Sequence, residues 1–160
     1  MVVQAKRREV DTVGSIYQPA DITGAQFSGA FGIALRLLKG GNQFLDYTTE
    51  NLRDPEILGL AKKVRFVINE ELEKLPAGSA PARVTIRLTD GTHHTAQVDY
   101  AKGTVQNPMT SEELQAKFRG LASMVLPADR VEKIVQTAGE LEELDNIHEL
   151  GTLLVADKKG

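Results

Sequence analysis

The sequence predicts an α+β domain: a two-layer sandwich of a small, mostly antiparallel sheet packed with helices, followed by a C-terminal helical tail. Three observations carry this. Residues 83–100 alternate between apolar and polar, the period of a β-hairpin. Elsewhere, apolar residues recur at three- and four-residue spacing behind capping residues, the mark of helices lying on a core. Beyond residue 110 the alternation disappears and only helical spacing remains.

In chain order, a first strand is expected over Arg8–Val13, ending at Gly14-Ser15. A long helix should follow within Pro19–Gly41. Thr23 and Gln26 stand at capping-box spacing, and Phe27, Ala30, Phe31, Ala34, Leu35 and Leu38 form its apolar stripe. Gly40 is placed to close it in the left-handed conformation. Each interior glycine costs a helix up to about 1 kcal/mol against alanine. Gly24, Gly29 and Gly32 therefore imply that something approaches the backbone closely, either a packed element or a ligand.

Asp54-Pro55 marks the next helix, with Asp54 as cap, Pro55 at the first position and a stripe of Ile57, Leu58, Ala61 and Val64. A strand over Val64–Ile68 should follow directly. In the hairpin, Val84, Ile86 and Leu88 alternate with Arg83, Thr85 and Arg87, and Ala96, Val98 and Tyr100 alternate with Thr95, Gln97 and Asp99. A two-residue turn at Asp90-Gly91 would split the apolar sets between faces. A three-residue loop, Thr89-Asp90-Gly91 with Gly91 left-handed, pairs Val84 with Ala96 and keeps one face apolar, so the longer loop is expected.

Thr110 and Glu113 form a capping box ahead of Leu114, Phe118, Leu121 and Val125, and Pro127 opens a helix bearing Val131, Ile134 and Val135. Leu141, Leu144, Ile147, Leu150, Leu153 and Leu154 make a final amphipathic stretch. The expected organisation is a domain over residues 1–140 and a helical tail over 141–160.

With 160 residues, 41% hydrophobic and 26% charged, the chain has the composition of one globular domain with a sizeable core. A formal charge of −3 argues against a nucleic-acid surface. No apolar run reaches the roughly 20 residues of a membrane span, and Lys6-Arg7-Arg8 follows no signal-like stretch, so a cytoplasmic address is expected. The absence of cysteine excludes thiolate metal sites, disulfides and thiol nucleophiles.

Catalytic signals are sparse. His93 and His94 are adjacent in a strand, so they point to opposite faces and cannot chelate one metal; one should be half-buried and one solvated. His148 reads as a surface residue. The carboxylates at Glu70-Glu71-Glu73, Glu112-Glu113 and Glu140-Glu142-Glu143-Asp145 lie near helix ends or on polar faces, where charge is solvated. No dinucleotide or P-loop pattern is present. Gly29-Ala30-Phe31-Gly32 has the form of an RNA-binding loop but lacks neighbouring cations. No catalytic residue, metal site or cofactor is expected.

Several segments, taken in order, resemble the C-terminal part of the MmgE/PrpD family: Pro19 with Ala25-Gln26-Phe27-Ser28, Ala34 and Gly40; Tyr47-Thr48 with Asn51-Leu52-Arg53-Asp54-Pro55; the Asp90-Gly91 hairpin; Gly103 with Asn107-Pro108-Met109-Thr110; and Lys117-Phe118. The resemblance implies the α+β lid of a two-part enzyme. In such enzymes the active site lies between lid and helical domain, and the helical portion supplies the catalytic histidines and aspartate. It further implies that Gln26, Ser28 and Phe31 face a small di- or tricarboxylate such as 2-methylcitrate. Phe31 stands where the family often has tyrosine, so it brings no hydroxyl.

The expected role is a lid domain or small subunit of an MmgE/PrpD-type lyase, a hydro-lyase or decarboxylase, catalytically incomplete alone. Its expected partner is a helical MmgE/PrpD-type subunit. The alternative is a non-enzymatic module that keeps the fold and self-associates through the leucine-rich tail. Neither nucleic acid nor membrane is an expected partner.

Overall fold

The computed structural model describes residues 1–155. The chain divides into two compact units, Met1–Asn107 and Pro108–Gly160. The first contains β1 (Val2–Ala5), α1 (Arg7–Val13), α2 (Ile22–Gln26), α3 (Gly29–Lys39), a 3-10 turn (Phe44–Asp46), α4 (Thr49–Arg53), α5 (Pro55–Ala61), β2 (Arg65–Ile68), α6 (Glu70–Glu73), β3 (Ala82–Arg87) and β4 (His93–Val98). The fold is α+β.

The sheet runs in the order β2-β1-β3-β4. β1 pairs parallel with β2 and antiparallel with β3, and β3 pairs antiparallel with β4. One face carries Val3, Phe66 and Val84, and onto it pack Ala30, Phe31, Ala34 and Leu35 of α3 and Ile57 and Ala61 of α5. Helices over one sheet face form the two layers.

The N-terminal strand does not lie over Arg8–Val13 as expected. That segment is α1, and the strand is Val2–Ala5, where Val3 and Ala5 point inward and are buried. Val10 and Val13 are spaced three apart, which puts them on one face of a helix but on opposite faces of a strand.

The expected single helix within Pro19–Gly41 is two. α2 is capped by Asp21, whose carboxylate accepts from the Gly24 N–H at 2.6 Å, so Thr23 and Gln26 form no capping box. The backbone then breaks at Phe27-Ser28. Ser28 is extended and caps α3 by accepting from the Phe31 N–H at 3.0 Å. A serine that bonds its own backbone favours a new helix start over continuation of the old one. Gly40 closes α3 at φ 77°, as expected.

The glycines have a packing explanation. A Cβ on Gly14 would lie 2.7 Å from the Phe66 Cβ, and one on Gly29 would lie 2.5 Å from the Phe66 Cζ. Two glycines from different segments thus leave room for one aromatic side chain of β2. At Gly24 the neighbours are the Asp21 carboxylate and Pro19, and at Gly32 they are Tyr47 and Asn42.

Asp54 caps α5 through the Glu56 N–H at 2.8 Å, Pro55 sits in the first turn, and β2 follows as expected. The hairpin has the three-residue loop: the Leu88 N–H donates to Thr92 at 2.9 Å, Gly91 has φ 89°, and Val84 pairs with Ala96. Its apolar face is only partly covered, since β4 is exposed along its whole length.

The second unit contains α7 (Ser111–Ala122), α8 (Ala128–Gly139), a 3-10 turn (Leu141–Glu143) and α9 (His148–Leu154). The Thr110–Glu113 capping box and the start behind Pro127 are present. Leu126, Val131 and Ile134 form its core with Phe118, Ala122, Leu150 and Leu153 packed against them. The tail is not one amphipathic helix. Leu144 is extended, and Asn146 accepts from the His148 N–H at 2.9 Å to begin α9 anew. Leu150 and Leu153 turn to the core, while Leu141, Ile147 and Leu154 are exposed. Residues 156–160 of the expected tail lie outside the described residues.

Candidate functional site

The segment singled out by sequence, Ala25-Gln26-Phe27-Ser28, is the junction between α2 and α3. Ala25 and Ser28 point into the first unit, Gln26 is exposed, and Phe27 is 58% exposed. Ser28 is 2% exposed with its hydrogen-bonding capacity in use. Its hydroxyl donates in a short bond to the Ile16 carbonyl and accepts from Phe31. Of the three expected substrate-facing residues, the break in the helix thus presents Gln26 to solvent and turns the other two inward.

Phe31 is fully buried, its ring tilted against Tyr47 with centroids 6.1 Å apart. The Tyr47 hydroxyl donates to the Asn42 side-chain oxygen and lies beside Gly32. Burial pushes the Tyr47 phenol above its ordinary range, and the charge of Asp46 adds to this. Sequence reasoning does not bring Tyr47 to α3, because the loop that returns it has no periodic pattern. Chemically, the junction itself offers one exposed carboxamide, Gln26, able to donate and accept.

The sequence matches the MmgE/PrpD C-terminal domain over residues 2–142. The chain belongs to this family. It is 31% identical over 140 residues to a cis-aconitate decarboxylase of Aspergillus terreus, a match covering 86% of this chain and 28% of that protein. It is 29% identical over 136 residues to the Homo sapiens cis-aconitate decarboxylase, covering 81% of this chain and 27% of that one. The Mus musculus enzyme of the same name is 28% identical over 136 residues, with 81% and 26% covered. The chain therefore spans about a quarter of the length of the curated relatives it matches.

Several residues of the motifs singled out in the sequence have structural roles in this MmgE/PrpD domain. Thr48 caps α4 through the Asn51 N–H at 3.1 Å, and the Asn51 amide donates to the Asp46 carbonyl at 2.8 Å. Asp54 caps α5 and forms an ion pair with Lys39 at 2.8 Å. The Lys39 hydrogen bond, followed by the backbone donor at Glu56, holds the Asp54 carboxyl below its ordinary range. Gly103, with φ 92°, donates to the Asn107 carbonyl at 2.8 Å, and the Asn107 amide donates to the Tyr100 carbonyl at 3.0 Å. Such a set identifies a scaffold more than a reaction centre.

The remaining candidates are dispersed. His93 and His94 are both exposed, because β4 is an uncovered edge strand; the expected half-buried histidine is absent from that pair. His148 is exposed, as expected. Among the described residues no three histidines or carboxylates are grouped to hold a metal ion. Glu112 and Glu113 sit in the first turn of α7, and Glu70, Glu71 and Glu73 in α6. In the second unit a groove of about 440 Å³ runs between α7 and α8, lined by Leu114, Phe118, Ile134, Val135 and Ala138, with Ser111 and Gln115 supplying polar groups. No helix of the described residues is long and apolar enough to cross a membrane.

Proposed function

We propose that this chain serves as the lid of an MmgE/PrpD-type lyase acting on small di- or tricarboxylates, cis-aconitate and 2-methylcitrate being the compounds to try first. The observation that carries this reading is the family match over residues 2–142, together with relatives named for cis-aconitate decarboxylation. Gln26 is the lid's polar contribution to the cleft. The base that removes a proton and the cations that hold the carboxylates come from a helical MmgE/PrpD portion. A reaction of this class needs a positioned base and convergent positive charge, and the exposed, scattered histidines here offer neither.

The chain alone should leave cis-aconitate and 2-methylcitrate unchanged. Adding a helical MmgE/PrpD portion should yield a complex on gel filtration and restore turnover, which Gln26→Ala then lowers. Turnover by the chain alone, or no complex, would sink the proposal. A second reading, a non-enzymatic module that self-associates through the tail, is favoured by one observation: Ile147, Leu154 and Val155 remain exposed in the second unit. A chain that forms dimers through this segment and binds no helical portion would support it instead.

A further inference from the structure

The second unit closes one side of its α7–α8 pair and leaves another open. Leu150 and Leu153 of α9, with Phe118 and Ala122 of α7, pack against Leu126, Val131 and Ile134. The groove between α7 and α8 has no such cover. Leu114 and Phe118 line it from α7, Val135 and Ala138 from α8, and Leu114 is 59% exposed. These pairs are spaced four and three residues apart, so each helix offers one apolar stripe to the same space. At about 440 Å³ the groove is as large as sites that take a ligand or an anchoring segment.

The charge around the groove decides what kind of segment fits. Residues 108–155 carry nine carboxylates against four lysines and arginines. Two of those four are engaged, Arg119 with Glu132 at 2.7 Å and Arg130 with the Val155 carbonyl at 2.9 Å. The carboxylates gather where the groove ends. Ser111 and Gly139, both on its wall, are followed in the chain by Glu112 and by Glu140, Glu142 and Glu143, all exposed. Among the described residues the side chains of Glu140, Glu142 and Glu143 make no hydrogen bond or ion pair. Such a rim repels an anionic segment and draws a cationic one.

We infer that the α7–α8 groove docks a basic amphipathic helix of a partner protein. The partner's apolar stripe lies against Leu114, Phe118, Val135 and Ala138, and its lysines or arginines meet the glutamates that follow Gly139. The wall runs from Ser111 to Phe118, two turns of α7, so two or three apolar side chains spaced three or four apart on the partner reach it. The apolar anchors supply most of the affinity, and the acidic rim selects the sign of the partner's charge. The surface lies wholly in the second unit and is independent of the lid reading.

The test uses the full chain and a labelled peptide of about fourteen residues, leucine and lysine patterned as an amphipathic helix. Fluorescence anisotropy should show saturable binding that weakens with added salt. The same peptide with glutamate in place of lysine should not bind. Ala138→Trp, which fills the groove from an exposed position, should weaken binding at least about tenfold, the loss expected when an anchor is shut out. Gln136→Trp, exposed on α8 but off the groove wall, should leave it unchanged. Glu140→Lys combined with Glu142→Lys should weaken it as well. Amide shifts of the isotope-labelled chain locate the contact without any substitution, and should fall on residues 111–118 and 134–139. Absence of saturable binding overturns the inference. So does equal binding of the glutamate peptide, full affinity in a folded Ala138→Trp variant, or shifts centred on α9 or on the first unit.

Discussion

Ser28 shows how one residue can be singled out by sequence for a role its surroundings do not leave free. Its position in the motif suggests a substrate-facing hydroxyl, but the hydroxyl holds Ile16 on one side and the first turn of α3 on the other. Removing it leaves the buried Phe31 N–H without a partner and α3 without a cap. Ser28→Ala should therefore cost about 2 kcal/mol, read as a lower urea midpoint. Gln26→Ala, at an exposed site two residues earlier, should change stability by less than about 0.5 kcal/mol. The reverse order of effects would mean that the junction is not packed as described. The sequence could not separate these residues, because their difference lies in the break at Phe27-Ser28, and a glycine-spaced run reads equally well as one helix or two.

At the level of elements, legibility followed local chemistry. The start of α5, the capping box of α7, the left-handed close of α3 and the loop of the β3–β4 hairpin were all readable, since each is decided by residues a few positions apart. β1 was not, because the true strand is only four residues long, while β-branched Val10, Thr12 and Val13, a strand-favouring composition, lie in α1. The Asp54 cap is also a titrating one. Its carboxyl has a lowered pKa in the folded chain, chiefly through Lys39, so its stabilising contribution is complete above the ordinary aspartate value of 3.8. That contribution is lost as pH falls through the depressed folded value. The raised pKa of Lys39, due first to the same hydrogen bond, places its contribution below 10.5, so both are present at neutrality. The stability of the first unit should therefore decline as pH drops from about 5 toward 3. Asp54→Asn, which keeps the capping oxygen but not the charge, should flatten part of that decline. An unchanged pH profile in the variant would show that the pair contributes nothing measurable, and added salt should weaken it because both groups reach solvent.

On the scale of the whole molecule, the family match runs across residues 2–142, while the compact units divide at Asn107 and Pro108. Sequence similarity follows descent and compactness follows core packing, so the two need not share a boundary. Each unit has its own buried cluster, one around Phe31, Leu35 and Ile57, the other around Val131 and Ile134. A cavity made in one core should act where that core is. Leu35→Ala and Ile134→Ala should each cost about 2–5 kcal/mol locally. Hydrogen exchange can read the location: Leu35→Ala should release amides of β1, β3 and α5 while those of α8 keep their protection, and Ile134→Ala should do the opposite. If either variant released amides throughout residues 1–155, the two cores would be one cooperative structure. Local release would instead give the first unit a foldedness of its own, as a lid must have if it is to meet a cleft as a preformed surface.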